Sequence, residues 1–336
     1  WFPTWPAWLI QIVFLAILSM VNLIAVRVFG EVEFWFAMVK IVAIIALIVT
    51  AIFMVLTGFK TPNGVASISN ISQNFQLFPN GFMSFVMGFQ MVFFAYQAIE
   101  FIGITTSETA NPRQVLPKAI KEIPLRIVLF YGGSLLAIMA IIPWRDLATT
   151  DSPFVIVFKL AGLKWAAALI NFVVLTSAAS ALNSTLYSTG RHLYQIAHDS
   201  PNRFLNGIGA GKLSRQNVPQ NAILTSAVVI ALAAFIQVLP GVSDSFALIT
   251  ASSSGVYIAI YALTMIAHLK YRKSKEFMAD GYLMPAYKFL NPLTLLFFAF
   301  VFITLFLQKS TVVGAIGSAI WILVFGIYSQ LKFKDK

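Results

Sequence analysis

Residues 93–113 read FFAYQAIEFIGITTSETANPR, and they put a carboxylate, Glu100, inside an otherwise apolar run. Polarity rises only at Thr105, and a turn signal follows at Asn111-Pro112. An acid at that depth is costly unless it faces protein or water, so it is a functional-site candidate wherever the surrounding run lies in a bilayer.

The rest of the chain says that it does. Of 336 residues, 59% are hydrophobic and 10% charged, and the mean hydropathy is +0.84. Soluble domains carry about 25% charged residues, so this chain lacks the polar surface to cover itself in water. The sequence predicts an all-α integral membrane protein. No cysteine is present, which excludes disulfide scaffolds and thiolate metal sites.

A helix needs about 20 mostly apolar residues to cross the hydrocarbon core. Nine such runs occur: 7–26, 34–57, 82–104, 125–143, 165–187, 221–239, 245–267, 289–307 and 312–330. Backbone groups in lipid must be satisfied within the segment, and the ten-residue alternation of barrel strands is absent, so the runs read as nine transmembrane helices in one polytopic domain, 1–336. Seventeen of the 23 Lys and Arg lie beside the loops after odd-numbered runs or at the C-terminus, and five beside the others. The C-terminus is therefore expected in the cytoplasm and the N-terminus outside. The net charge of +11 is mainly this topology signal, with anionic lipid as a partner and no nucleic acid.

The chain opens on Trp1-Phe2-Pro3-Thr4-Trp5-Pro6, without Met or signal peptide. An odd number of spans with an external start is expected of a larger even-numbered bundle lacking an odd number of N-terminal helices. Residues 58–81 read as a turn-rich external loop. In 144–164, Leu160–Leu163 and neighbours suit a short interfacial helix, and 188–220 and 270–288 read as cytoplasmic loops, the latter basic.

Lys40 is the second ionisable group inside a run, about seven residues from its edge, or roughly 10 Å at 1.5 Å per residue. It either snorkels to the surface or sits in a water-reachable core. Glu100 is either a structural acid holding helices together or a proton-handling group. Around it, Gly88, Ala95, Ala98 and Gly103 are small and Thr105, Thr106 and Ser107 follow. A helix interrupted there offers main-chain groups to the carboxylate and ammonium of an amino acid, whereas small residues also simply allow close packing. Thr176, Ser177, Ser180 and Ser184 recur at helical spacing, and Thr250, Ser252, Ser253 and Ser254 form a similar patch. Interhelical hydrogen bonding and ligand contact both fit these.

Three stretches, FGEVEFWFAMVKI (29–41), FFAYQAIEFIGITTSETANPRQVLPKAI (93–120) and INFVVLTSAASALNSTLYSTGR (170–191), resemble the amino acid transporter family of the amino acid–polyamine–organocation superfamily. The resemblance covers nearly the whole chain. SPFV (152–155) and IPLRI (123–127) further resemble bacterial D-serine/D-alanine/glycine permeases. It implies a twelve-helix, five-plus-five inverted-repeat fold in which this chain begins at the fourth helix. It implies that Lys40 stands where a sodium ion sits in sodium-coupled relatives, and that Phe94–Glu100 is the broken sixth helix. Phe94 then serves as a gate over substrate, and Phe94, Ala95, Tyr96, Ala98 and Ile99 bind it. Lys40 and Glu100 serve proton coupling or gating, with Thr176, Ser177 and Ser180 as secondary contacts. Ala98 departs from the family, which usually has Gly there; the added methyl makes the break less permissive and the pocket smaller.

The resulting expectation is secondary active transport of small neutral amino acids (glycine, D-alanine, D-serine) across a bacterial cytoplasmic membrane, with protons as co-substrate. The alternative is a non-transporting membrane module, either a nutrient sensor or an inactive truncation, since the family's first helix supplies half of the substrate site. No His or carboxylate pair occurs within the runs at catalytic spacing, so no enzyme is expected. His192, His198 and His268 lack ligand spacing and GIGAG (207–211) follows no strand, so no metal and no cofactor are expected. Asn70-Ile71-Ser72 matches a glycosylation sequon by chance.

Overall fold

The computed structural model describes residues 5–24, 26–73, 75–104, 111–147, 152–199, 203–235, 245–279 and 282–333. Fourteen α-helices are assigned along them, with one two-residue hairpin, β1 (Lys60–Thr61) and β2 (Gly64–Val65), paired antiparallel inside the 58–81 loop. Among the described residues, six helical stretches are long and apolar enough to cross a membrane: Phe29–Leu56, Pro112–Ile141, Ala168–Asp199, Phe246–Tyr271, Tyr287–Thr304 and Val312–Leu331. Three more apolar runs form shorter helices, Trp8–Ile24, Phe82–Ala95 and Gln220–Ala234. Large apolar side chains stay exposed along these helices, such as Val313, Ile320, Leu323 and Leu331 on one of them. In water such a surface would aggregate; against acyl chains it is the favoured one.

The contacts divide into two compact units. The first comprises Trp1–Phe75 and Ile120–Phe235. It holds α1 (Ala7–Ile24), α2 (Val26–Leu56), the one-turn α3 (Ser69–Ser72) and the C-terminal part of α6 (Pro112–Ile127). It continues through a π-helical turn, Val128–Gly132, into α7 (Gly133–Ile141), then α8 (Pro153–Leu160), α9 (Lys164–Asp199), α10 (Arg203–Gly207) and α11 (Gln220–Ala234). Its largest core packs Leu47 and Met54 of α2 against Ile141, Val157 and Phe158. Asn70 gives its amide to the carbonyls of Val65 and Ala140, both at 2.9 Å, which ties the hairpin loop down onto α7.

The second unit comprises Gln76–Ala119 and Ile236–Lys336. It holds α4 (Phe82–Ala95), the one-turn α5 (Phe101–Ile104), the start of α6, and α12 (Ser245–Tyr271), α13 (Tyr287–Thr304) and α14 (Val312–Phe333). Phe93, Ala251, Ile258, Val301, Leu305 and Ala315 form its core. α12 and α14 meet backbone to backbone. A Cβ built on Gly314 would lie 2.7 Å from the Leu248 carbonyl oxygen, so only glycine permits the approach.

Helix and apolar run do not share boundaries. α2 begins eight residues before its run, α6 starts at Pro112 rather than 125, and α9 extends to Asp199 through residues read as loop. The hydrogen-bond ladder continues where tertiary partners exist: Gly190 of α9 packs on Ile223, and Ala197 joins a small core with Ala210 and Ala222. The short helix of the 144–164 segment lies at Pro153–Leu160, upstream of its expected place. Proline at its first turn starts it, and Gly162 at φ +81° ends it. The run 82–104 is not one helix.

Candidate functional site

α4 stops at Ala95 and α5 resumes only at Phe101. Between them the hydrogen bonds shorten to one residue less than the α-helical step: Tyr96 N–H to Phe93 O and Gln97 N–H to Phe94 O, then Phe101 N–H to Ala98 O. Ala98 stands at φ +71°, in the left-handed region that costs a residue with a Cβ roughly 1–2 kcal/mol. Strain of this kind persists only where its surroundings over-determine it.

They do so through α12. Gln97 is held at both ends of its amide: Nε2 donates to Ser254 Oγ at 2.8 Å, and Oε1 accepts from Ser253 Oγ at 3.0 Å. The main-chain N–H of Ala98 donates to the hydroxyl of Tyr261 at 3.1 Å. That hydroxyl donates in turn to Glu100 Oε2 at 2.5 Å. Four hydrogen bonds from α12 residues two turns apart therefore pin the unwound segment, and Glu100 is a half-buried member of that set.

Beside the break lies a cavity of about 430 Å³, lined among others by Tyr96, Ile99, Glu100, Tyr261, Phe297 and Phe298. Apolar walls with one carboxylate and two phenols, Tyr96 and Tyr261, are the lining expected of a small-molecule site. Of the expected substrate-binding residues, Tyr96 and Ile99 face it. Phe94 instead sets its ring edge-on to Phe246 at 6.0 Å, and Ala95 and Ala98 do not line it. Thr105, Thr106 and Ser107 lie outside the described residues.

The first unit holds a second polar cluster. Lys40 Nζ donates to Ser180 Oγ at 2.8 Å, and Ser180, itself buried, donates to Glu33 Oε1. Glu33 Oε2 accepts from Asn183 Nδ2 at 3.4 Å, and Asn183 Oδ1 accepts from Asn22 Nδ2 at 2.8 Å. A chain of polar groups thus runs from α1 through α9 to α2, with an ammonium at one end and a carboxylate within it. The ammonium of Lys40 is bound inside the helix bundle of its unit. Thr176 and Ser177 turn back onto the carbonyl of Val173, at 2.9 and 2.8 Å, so only Ser180 of the three expected secondary contacts joins the cluster.

Sequence reasoning misses Glu33, Asn183, Gln97 and Tyr261. Glu33 has a visible signal. It stands seven residues before Lys40, two helical turns, so the two share a face of α2; Ser180 and Asn183, three apart, share a face of α9.

A polytopic set of apolar helices, one of them unwound beside a carboxylate, is the architecture of an integral membrane protein. The amino acid permease family matches this chain over residues 1–336. The DL-alanine permease SerP2 of Lactococcus lactis subsp. cremoris (strain MG1363) is 47% identical over 329 residues, covering 98% of this chain and 71% of the relative. The serine permease SerP1 of the same strain is 45% identical, over 99% and 74%. A D-serine/D-alanine/glycine transporter of Escherichia coli (strain K12) is 37% identical, over 97% and 70%. The chain belongs to the amino acid permease family, whose members are multi-pass membrane transporters and not enzymes.

Proposed function

We propose that this permease moves small neutral amino acids, glycine, alanine and serine of either hand, into the cell together with a proton. Amino-acid transport follows from the family; substrate size and proton coupling are the steps added to it. The observation that carries them is the break at Tyr96–Glu100, held open by α12 with a carboxylate and a phenol at its edge. The names of three relatives, each at least 37% identical, point to alanine, serine or glycine, which have the smallest side chains.

On this proposal Phe94, Ala95, Tyr96, Ala98 and Ile99 form the substrate-binding segment, with the main chain of the break meeting the amino acid's charged ends. Glu100 takes up and releases the proton against Tyr261. Lys40 serves as the fixed cation of the other unit, with Glu33 as its counter-charge through Ser180, and Ser180, Thr176 and Ser177 are its neighbours. Nine crossings, a place in a five-plus-five repeat and a cytoplasmic C-terminus complete the proposal; the Lys and Arg distribution supports the orientation.

Uptake of radiolabelled glycine and D-alanine by cells expressing the permease tests it. Uptake of both, abolished by a protonophore and outcompeted poorly by tryptophan, is the expected result. Uptake indifferent to the proton gradient would reject the coupling, and strong transport of tryptophan would reject the size limit.

A further inference from the structure

Just beyond the last turn of α12 lies another cavity, of about 230 Å³, lined among others by His268, Tyr271, Arg272, Phe277, Tyr282 and Met284. The Arg272 guanidinium is fixed between two rings, its central carbon 4.5 Å from the centroid of Phe277 and 4.1 Å from that of Tyr287. Its Nη1 is buried and has no hydrogen-bond partner. Among the described residues no carboxylate pairs with it. A guanidinium nitrogen withdrawn from water without an acceptor is expensive, so native structures rarely leave one idle.

The neighbourhood is built for an anion. Asn291, fully buried, donates its amide to Met265 O at 3.0 Å and lies 3.1 Å from His268 Nδ1. With Nδ1 accepting, His268 keeps its Nε2–H as a donor. Lys270, Lys273, Lys275 and Lys288, within a few residues of the lining along the chain, are exposed, against Glu276 and Asp280 in the sequence. The cavity sits where two span-length helices, Phe246–Tyr271 and Tyr287–Thr304, are joined. That is the level of lipid headgroups, and Tyr271, Tyr282 and Tyr287 are aromatics of the kind found there.

We propose that this cavity binds the phosphate of an anionic phospholipid headgroup. Arg272 is the preoriented donor, since a planar guanidinium matches two phosphate oxygens at once. The surrounding lysines supply the preference for a net negative headgroup over a zwitterionic one. This inference is independent of which amino acid the protein carries.

The 336-residue chain, purified in neutral detergent, is titrated with phosphatidylglycerol or phosphatidylcholine, and bound lipid is counted by native mass spectrometry. Retention of phosphatidylglycerol over phosphatidylcholine by at least about 25-fold is expected from the lysines, at about fivefold each. Arg272→Gln should lower phosphatidylglycerol affinity about tenfold and Arg272→Lys by less, with phosphatidylcholine, which carries the same phosphate, weakened in parallel. The double variant Lys275→Gln/Lys288→Gln changes only exposed side chains and should weaken binding by about fivefold per lysine. A competition with millimolar inorganic phosphate separates the sources: bound lipid that resists it supports the headgroup, and lipid displaced by it assigns the site to free phosphate and overturns the lipid proposal. Equal retention of the two lipids overturns it as well, as does unchanged binding by folded Arg272→Gln. Should Arg272→Gln fail to fold, unchanged binding by the lysine variant overturns the proposal in its place.

Discussion

Tyr261 on α12 donates its hydroxyl hydrogen to Glu100 while the same oxygen accepts the main-chain hydrogen of Ala98. One phenol thus satisfies an acid and an unwound backbone amide together. Replacing Tyr261 by Phe removes the bridge and leaves both groups short of a partner. Hydrogen bonds to charged groups contribute about 1.5–3 kcal/mol, so a loss of about 2 kcal/mol in thermal or denaturant stability is expected. Initial uptake rates should fall at least about tenfold, because misplacing a binding segment by an ångström is that costly.

Ala98 occupies a conformation that glycine adopts freely. Ala98→Gly should raise stability by about 1 kcal/mol, since the relief of left-handed strain exceeds the added freedom of the unfolded chain. Ala98→Val should lower it by more than that, a β-branched residue being a genuine outlier at positive φ. Melting temperatures in one detergent decide it. If all three residues melt alike, the helix break seen at φ +71° is not the ground state.

Lys40 and Glu33 never touch, yet Ser180 bonds to both. Lys40→Gln and Glu33→Gln should therefore be non-additive. Each alone strips a half-buried charge of its counterpart, and together they leave a neutral, still hydrogen-bonded cluster. A coupling of about 1–2 kcal/mol is expected in a double-mutant cycle on unfolding. Additive effects within about 0.5 kcal/mol would show that the two charges are independent.

Gly314 supplies the close approach of α14 to α12. Its added methyl would meet the Leu248 carbonyl at 2.7 Å and the Ser252 nitrogen at 2.9 Å, both main chain and neither able to swing aside. Gly314→Ala should cost about 1–3 kcal/mol. Gly317, whose added Cβ meets nothing within 4 Å, is the matched control and should tolerate alanine nearly unchanged.

What is legible in the sequence follows from contrast. Glu100 and Lys40 stand out because a charge in an apolar run is rare, and small residues around that acid foreshadow the break at 96–100. Gln97 and Tyr261 do not stand out. A tyrosine counts toward the apolar run that it interrupts, and one amide among aromatics carries no period, so their roles appear only when α12 is packed against the break. Glu33 escapes notice for another reason. It sits at the polar edge of its run, where acids are ordinary, although its seven-residue offset from Lys40 is in plain view. Helix ends are also hidden, since apolarity marks where lipid begins and says nothing of how far the ladder continues into water, as at Tyr187–Asp199.

α12 carries Tyr261 and, seven residues or roughly 10 Å further along, His268. A helix of 27 residues transmits displacement along its length as a stiff rod does. On the lipid proposal, whatever grips its far tip would also bear on the phenol that fastens the unwound segment, so membrane composition and turnover would share one moving part.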